Sequence, residues 1–126
     1  MKSYRDLEIY QLSYNLAVQV HKMTFTLPSY ETYEQGSQLR GSTKSIKDNI
    51  VEVYGRNRYN NEFIRFLVYS HSSCDEAISQ LTMINEIHFE SNGLIELLNE
   101  YGILGMKINT FIEYVKSHWN EPNRNL

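Results

Sequence analysis

The sequence predicts an all-α fold, specifically an antiparallel, up-down-up-down four-helix bundle. Its apolar residues recur at intervals of three and four positions, which is the helical period, rather than alternating as they would in strands. The only prolines are Pro28 and Pro122, so the long stretch between them contains no residue that breaks helices in this way. With 126 residues, the chain has the length of one compact domain, which we assign to residues 1–120.

The first two predicted helices lie on either side of the Leu27-Pro28-Ser29 turn. The first covers about residues 6–26, and its apolar face consists of Ile9, Leu12, Leu16, Val20, Met23 and Leu27. The second covers about residues 36–55 and is less apolar, with a face of Leu39, Ile46, Ile50 and Val53. Both faces have the spacing of an amphipathic helix, so each predicts one side packed in a core.

The third and fourth predicted helices show the same spacing more strongly. The third covers about residues 60–89, with a stripe of Phe63, Leu67, Ser70, Cys74, Ala77, Leu81, Ile84 and His88. The fourth covers about residues 92–119, with a stripe of Leu94, Leu98, Tyr101, Gly105, Ile108, Ile112, Val115 and Trp119. Because the connection at residues 91–93 is short, we expect these two helices to be antiparallel neighbours. The polar residues 121–126 are expected to form a frayed tail.

Composition argues against several classes of protein. The single Cys cannot form an intrachain disulfide, and the first six residues lack the apolar stretch of a signal peptide. The single Cys fits a reduced, cytoplasmic location, which we expect. No apolar run approaches the roughly 18–20 residues that span a membrane. The sequence contains no P-loop, no Gly-x-Ser-x-Gly and no Glu-x-x-His motif. These observations give no positive sign of an enzyme, and no cofactor is expected. Spacing alone leaves a Ser/His/Asp or Cys/His triad open, because such partners meet only in the fold.

The net charge conceals two unlike regions. Twelve basic and fifteen acidic residues give 12 − 15 = −3, which argues against a protein that coats nucleic acid broadly. Residues 40–65, however, carry six basic and three acidic residues, or +3. Residues 75–100 carry six acidic and no Lys or Arg residues, or −6. A local basic edge and a local acidic face are therefore both expected.

The basic edge is a candidate nucleic-acid site formed by Arg40, Lys44, Lys47, Arg56 and Arg58. Cations grip phosphates, and Tyr54 and Tyr59, which flank the turn after the second helix, could stack on bases. We expect replacement of Arg56 and Arg58 by Ala to weaken RNA binding and flatten its salt dependence. Two alternatives are open: a basic face that is simply solvated, or one that pairs with the acidic face of another subunit.

A second polar set lies on or beside the apolar stripes of the middle helices: Ser45, Asn49, Glu52, Arg65, Ser73 and Glu76. One interpretation is a ligand pocket, which an enzyme could use if it is open and holds a carboxylate of shifted pKa. The other is a structural hydrogen-bonded network that fixes the register of the helices, because buried polar groups must be paired. The cluster His71-x-x-Cys74-Asp75 could begin a zinc site, but no second pair has matching spacing. We therefore interpret Cys74 as a buried, unreactive residue and predict no metal site.

Several short segments resemble one known family. They are 4–11 (YRDLEIYQ), Leu27-Pro28 followed by Glu31 and Tyr33, 38–40 (QLR), 45–52 (SIKDNIVE), 65–67 (RFL), and Ser73-x-x-Glu76. In these segments the chain resembles the bacterial four-helix-bundle family named for a protein encoded in intervening sequences of 23S ribosomal RNA genes. The resemblance spans residues 4–76, and the fourth helix matches only in length and apolar character.

The resemblance implies a four-helix bundle that assembles as a homopentamer around a central channel, without enzymatic activity. A similar protein is the accessory subunit of diversity-generating retroelements, which binds nucleic acid and a reverse transcriptase. The sequence departs from the family pattern at Gly41 (usually Arg), Lys47 (usually Pro), Val53 (usually Gly) and Ser72 (usually Gly). The missing Arg weakens the case for phosphate binding, and the missing Pro should let the second helix run without a kink.

Together these observations predict a non-enzymatic oligomeric bundle with a binding or assembly role and a possible RNA or ribonucleoprotein partner. The apolar surface that a ring of subunits would bury has candidates in Tyr10, Tyr14, Tyr69 and Tyr114. The alternative is a purely structural or adaptor oligomer that binds no nucleic acid. An enzyme with a polar pocket in the bundle is a third hypothesis.

Overall fold

A computed structural model describes residues 3–56, 58–88 and 92–120 of the chain. The described residues are helical and include no strand, so the all-α prediction is confirmed. A short 3-10 turn at Tyr4–Asp6 precedes five α-helices. Their bounds are α1 Glu8–Thr24, α2 Ser29–Tyr33, α3 Gln35–Gly55, α4 Asn60–Ile87 and α5 Asn92–His118. Four of them are long, and α2 is a single short turn between α1 and α3.

The beginning of the chain differs from the prediction of one helix over 6–26. Ser3 and Asp6 cap each other in a capping box around the 3-10 turn, so Asp6 does not cap α1. Leu7 then has an extended backbone and is buried, and α1 begins only at Glu8. Two local hydrogen bonds therefore interrupt what the apolar spacing alone predicts as one helix. The other three long helices begin within one residue of their predicted starts.

The short helix α2 was not predicted. It begins at Ser29, directly after Pro28, whose fixed φ suits the entry to a helix. The hydroxyl of Thr32 donates a 2.7 Å hydrogen bond to the backbone oxygen of Thr24 at the end of α1. Both Glu31 and Thr32 are buried, so α2 closes one end of the bundle rather than lying in a loose connection.

The four long helices pack in a ring in which α1 contacts α3 and α5, and α4 also contacts α3 and α5. Contacts between neighbours run in opposite directions along the helices. The beginning of α1 meets the second half of α5 through Glu8 and Lys107, and the end of α1 meets the start of α3 through Thr24 and Arg40. Antiparallel neighbours have this arrangement, and α4 and α5 share it, since Phe63 near the start of α4 contacts Trp119 just after the end of α5.

The core follows the predicted stripes closely. In α4 all stripe residues from Phe63 to Ile84 are buried, including the small Ser70 and Ala77. In α5, Leu97 is buried and Leu98 only partly buried, so the stripe is rotated slightly at that point. α3 is an unbroken helix through Lys47, as the absence of the family's proline predicts. No helix in the described part of the chain is long and apolar enough to cross a membrane.

Candidate nucleic-acid interface

α3 presents its polar residues on two sides, and the predicted basic edge is divided between them. One side faces α1 and carries Arg40, Lys44 and Lys47, which recur every three or four residues. On the side that faces α4, Arg56 follows directly after the last residue of α3. Arg58 follows in the connection to α4 and is exposed. The structure therefore does not bring the five predicted cations into one patch.

Arg56 already contacts neighbouring side chains within the protein. Its guanidinium lies 2.6 Å from the Glu52 carboxylate and 3.7 Å from that of Glu62. It also lies 4.5 Å from the centre of the Phe66 ring, where a cation–π contact holds it. Two carboxylates compensate this charge, so Arg56 is a poor candidate for a phosphate. Near it, Tyr59 is exposed and Tyr54 is half-buried.

Arg40 is likewise engaged inside the protein. It donates a 2.7 Å hydrogen bond to the hydroxyl of Thr24 and lies 4.9 Å from the centre of the Phe25 ring. These contacts tie the start of α3 to the end of α1. We therefore assign Arg40 to the structure of the bundle and only secondarily to the basic surface.

Lys44 and Lys47 instead line an open groove between α1 and α3. The α1/α3 groove has a volume of about 240 Å³ and is lined by Tyr14, Ala17, Val18, His21, Lys22, Lys44 and Lys47. Its lining holds three amines and no carboxylate, although Asp48 beside it contacts Lys47 at 2.7 Å. In the described part of the chain, no ion pair joins Lys22 or Lys44 to an acid. This arrangement suits an anion with an apolar or aromatic part.

Aromatic side chains continue along the same edge of α1. The Tyr10 and Tyr14 rings are 6.0 Å apart, and Tyr4 packs edge-on against Tyr10 at 4.9 Å. A second groove, of about 500 Å³, runs beside these rings and shares Tyr14 with the first. Neither Lys22 nor these aromatic contacts were part of the predicted site. These residues are visible in the sequence, but only the packing of α1 on α3 shows that they border the groove.

The predicted polar set is only partly assembled. The Ser45 and Ser73 hydroxyls lie 2.9 Å apart, and the Asn49 amide donates to the backbone oxygen and hydroxyl of Ser45 at 2.9 and 3.2 Å. These three residues link α3 to α4, as a register-fixing network requires. The other three predicted members stand apart.

Each of those three has a different setting. Glu52 pairs with Arg56, and Arg65 pairs with Glu62 at 2.8 Å on the surface. Glu76 is exposed, and within the described residues no hydrogen bond or ion pair connects it to the serines. The predicted structural network therefore forms among Ser45, Asn49 and Ser73 and does not extend to all six residues, because α4 turns Glu76 toward solvent while Ser73 faces α3.

A buried polar cluster that the sequence did not single out surrounds α2. We call Thr24, Glu31, Thr32, Arg40 and His88 the α2 cluster. Glu31 is 3% exposed, and its carboxylate accepts a 2.8 Å hydrogen bond from Nε2 of His88, just after the end of α4. This bond lowers the pKa of Glu31 below its ordinary 4.5, outweighing the opposite effect of burial.

Gly36 fits closely into the α2 cluster. An added Cβ there would lie 3.0 Å from the backbone oxygen of Glu31, 3.2 Å from Cβ of Thr24 and 3.3 Å from the Arg40 guanidinium. A glycine is thus required for α3 to approach α2 this closely. Glu31 and Arg40 belong to the segments that carry the family resemblance, and their role here is to hold the end of the bundle together.

The possible zinc cluster at His71, Cys74 and Asp75 is not formed. His71 faces Asp75 at 3.6 Å on the surface, whereas Cys74 is fully buried and its thiol donates to the backbone oxygen of Tyr101 at 3.3 Å. Burial raises the pKa of the Cys74 thiol to about 12. In 3–56, 58–88 and 92–120, no three His, Cys, Asp or Glu residues are placed to hold a metal ion.

Comparison with known proteins identifies the family. No curated protein sequence matches the chain significantly. A family model described as 23S rRNA-intervening sequence protein matches residues 5–110. The match extends through most of α5, beyond the segments of residues 4–76 in which the resemblance is visible by motif. It includes both sides of the α1/α3 groove and the whole α2 cluster. The chain therefore belongs to the 23S rRNA-intervening sequence protein family.

Proposed function

We propose that the protein is a non-enzymatic subunit that assembles with copies of itself and binds nucleic acid, RNA in particular, in the α1/α3 groove. The observation that carries this proposal is the groove lining, which holds Lys22, Lys44 and Lys47 and no carboxylate. Lys47 is paired with Asp48, but no ion pair joins Lys22 or Lys44 to an acid among the described residues, and amines of this kind attract phosphates and release counterions when they bind them. The family's link to ribosomal RNA genes makes RNA the first polymer to test.

The remaining surface supports a binding role without a catalytic step. Ser45 and Ser73 bond to each other, and the carboxylates of Glu52 and Glu76 lie elsewhere on the surface. Self-assembly is supported by large exposed apolar side chains, which include Tyr69, Ile95, Ile103, Met106 and Tyr114. Exposed apolar side chains in such numbers are typical of surfaces that another protein covers.

The test measures RNA binding by fluorescence anisotropy at several salt concentrations. Replacing Lys44 and Lys47 by Ala should weaken binding roughly tenfold and reduce the slope of log affinity against log salt by about 1–2. The matched control is the double replacement of Lys107 and Lys116 by Ala. That control removes the same charge from α5, where these lysines contact Glu8 and Glu113. Equal losses in both variants would contradict a specific groove.

The Arg56→Ala and Arg58→Ala pair tests the other end of the predicted edge. Because Glu52 and Glu62 already compensate Arg56, we now expect this pair to weaken binding less than the groove lysines do. If this pair loses more RNA affinity than the Lys44 and Lys47 variant does, the binding site lies at the turn after α3. If the wild-type protein shows no salt-sensitive RNA binding at all, the RNA proposal is wrong.

A second candidate function is a structural or adaptor oligomer in which the groove takes the acidic face of a neighbouring copy. It is favoured by the exposure of Asp75, Glu76, Glu86, Glu96 and Glu100, which lie on α4 and α5. Light scattering separates the two candidates. If high salt dissociates the oligomer and RNA changes nothing, the adaptor function is supported. A strict monomer at micromolar concentration would exclude self-assembly in both.

A further inference from the structure

We propose that the α1/α3 groove is built for single-stranded rather than duplex nucleic acid, with Tyr14 as the residue that stacks on a base. This inference rests on the proposed function. Tyr14 belongs to both grooves along α1, so it stands where the two depressions of about 240 and 500 Å³ meet. Its side chain is 47% exposed, which leaves ring surface open to a ligand.

The placement of charges relative to Tyr14 matches a phosphate backbone beside a base. Tyr14 stands on α1, and Lys44 and Lys47 lie across the groove on α3, one helical turn apart. A rise of about 1.5 Å per residue separates their backbones by about 4.5 Å along α3. One strand can therefore lay its phosphates along the lysines while a base turns toward the ring.

Two other aromatic residues lie near this edge, and neither offers the same open ring inside the groove. Phe25 is 53% exposed, against 47% for Tyr14, but it does not line the groove. Phe25 is covered by the guanidinium of Arg40 at 4.9 Å and contacts His21 at 5.3 Å. Tyr10 is half-buried between Tyr4 and Tyr14. Tyr14 therefore has a supported ring with an open side, which is the arrangement that stacking on unpaired bases requires.

A duplex would use this surface poorly. In a duplex the faces of the bases are stacked on one another, and only phosphates and groove edges are accessible. The lysines could still bind such phosphates, but the aromatic row would contribute little. The interleaving of amines and rings thus distinguishes a groove for single strands from a generally basic surface.

The experiment compares a labelled single-stranded 12-mer of uridine with the same strand annealed to its complement, using the full chain. We expect the single strand to bind at least tenfold more tightly. Tyr14→Ala should weaken single-strand binding by about tenfold and leave duplex binding unchanged. Tyr14→Phe, which keeps the ring, should restore it. Tyr33→Ala, which removes a 72% exposed ring from α2 outside the groove, is the matched control.

The outcomes separate this inference from the function on which it rests. If the duplex binds equally well and Tyr14→Ala has no effect, while the lysine pair still matters, the single-strand inference is overturned and the proposed function stands. If replacing Lys44 and Lys47 has no effect on either ligand, the proposed function itself fails. If that replacement changes only the mass of the oligomer, the groove is a contact between subunits. Circular dichroism of each variant checks that it folds.

Discussion

In the α2 cluster the polar side chains are buried or half-buried and hydrogen-bonded to one another, whereas in the α1/α3 groove Lys22 and Lys44 are exposed and have no acidic partner among the described residues. Glu31 and His88 bond across 57 residues of sequence, and Arg40 bonds to Thr24. Lys22 and Lys44 lie only a short distance along the same helices. Both regions contain basic side chains and a histidine, so the presence of these residue types alone does not distinguish them. Burial and pairing do, and they predict that the first region determines stability and the second determines binding.

The largest loss of stability is expected from His88→Ala. This change removes the 2.8 Å bond from His88 and leaves Gln35, whose backbone N–H lies at 3.4 Å, as the remaining partner of the buried Glu31 carboxylate. Losing the closest donor to a buried carboxylate in this way costs about 2–3 kcal/mol of the free energy of unfolding. Urea denaturation measures it. His71→Ala is the control, because His71 faces Asp75 at the surface and its removal should cost less than about 0.5 kcal/mol.

Gly36→Ala should cause the next largest loss of stability, about 1–2 kcal/mol of the free energy of unfolding. The new Cβ would lie 3.0 Å from a backbone oxygen that cannot move without displacing α2. The control lies in the same helix: Gly41 has nothing within 4 Å of an added Cβ. Gly41→Ala should therefore stabilise the protein by about 0.5–1 kcal/mol through helix propensity. If both changes shift the thermal midpoint in the same direction, the close packing at Gly36 is not what the structure indicates.

Acid should weaken the α2 cluster through Glu31. Its pKa is lowered in the folded protein, so its contribution is fully present above the unfolded value near 4.5 and is lost as the pH falls through the lower folded value. The free energy of unfolding of the wild type should therefore decline below about pH 5 more steeply than that of Glu31→Gln. Parallel curves for the two proteins between pH 6 and 3 would contradict this assignment.

Tyr101 is buried like Glu31 of the α2 cluster, but its polar atom has no partner among the described residues, as with the amines of Lys22 and Lys44 in the groove. Its ring is fully buried, and its hydroxyl has no hydrogen-bond partner within the described part of the chain. Burial also raises the pKa of this hydroxyl. Tyr101→Phe should therefore be neutral or stabilise the protein by up to about 1 kcal/mol. If urea denaturation instead shows that Tyr101→Phe lowers the free energy of unfolding by more than about 1 kcal/mol, the hydroxyl is hydrogen-bonded in the folded protein.

The helices that form the core could be predicted because their signal is local. The stripe from Phe63 to Ile84 is readable at three- and four-residue steps, and all of it is buried. The short helix α2 could not be predicted this way. Its five residues are too few to show a period, and it is held by the Thr32 bond to Thr24 and by Glu31 with His88. Those bonds link residues that are distant in sequence.

The candidate site was predictable only in part for the same reason. Lys44 and Lys47 follow from the excess of basic residues in α3, but charge counts could not separate them from Arg40 and Arg56. That distinction depends on Thr24, Phe25, Glu52 and Glu62, which the fold brings to those two arginines. The aromatic wall of the groove comes from α1, about thirty residues earlier, and no local pattern connects Tyr14 to Lys47.

The smallest effect on stability is expected where the effect on binding is largest. Replacing Lys44 and Lys47 by Ala removes one surface ion pair, between Lys47 and Asp48, and exchanges two residues in α3 for a better helix former. Surface pairs of this kind contribute about 0–1 kcal/mol, so the two changes nearly cancel and the free energy of unfolding should stay within about 0.5 kcal/mol of the wild type. Urea denaturation and RNA anisotropy on the same preparation measure both properties.

His88→Ala should give the reverse result under conditions in which it remains folded, with lower stability and unchanged RNA affinity. If the lysine variant is strongly destabilised, its loss of binding reflects unfolding, and the division between a stabilising cluster and a binding groove does not hold.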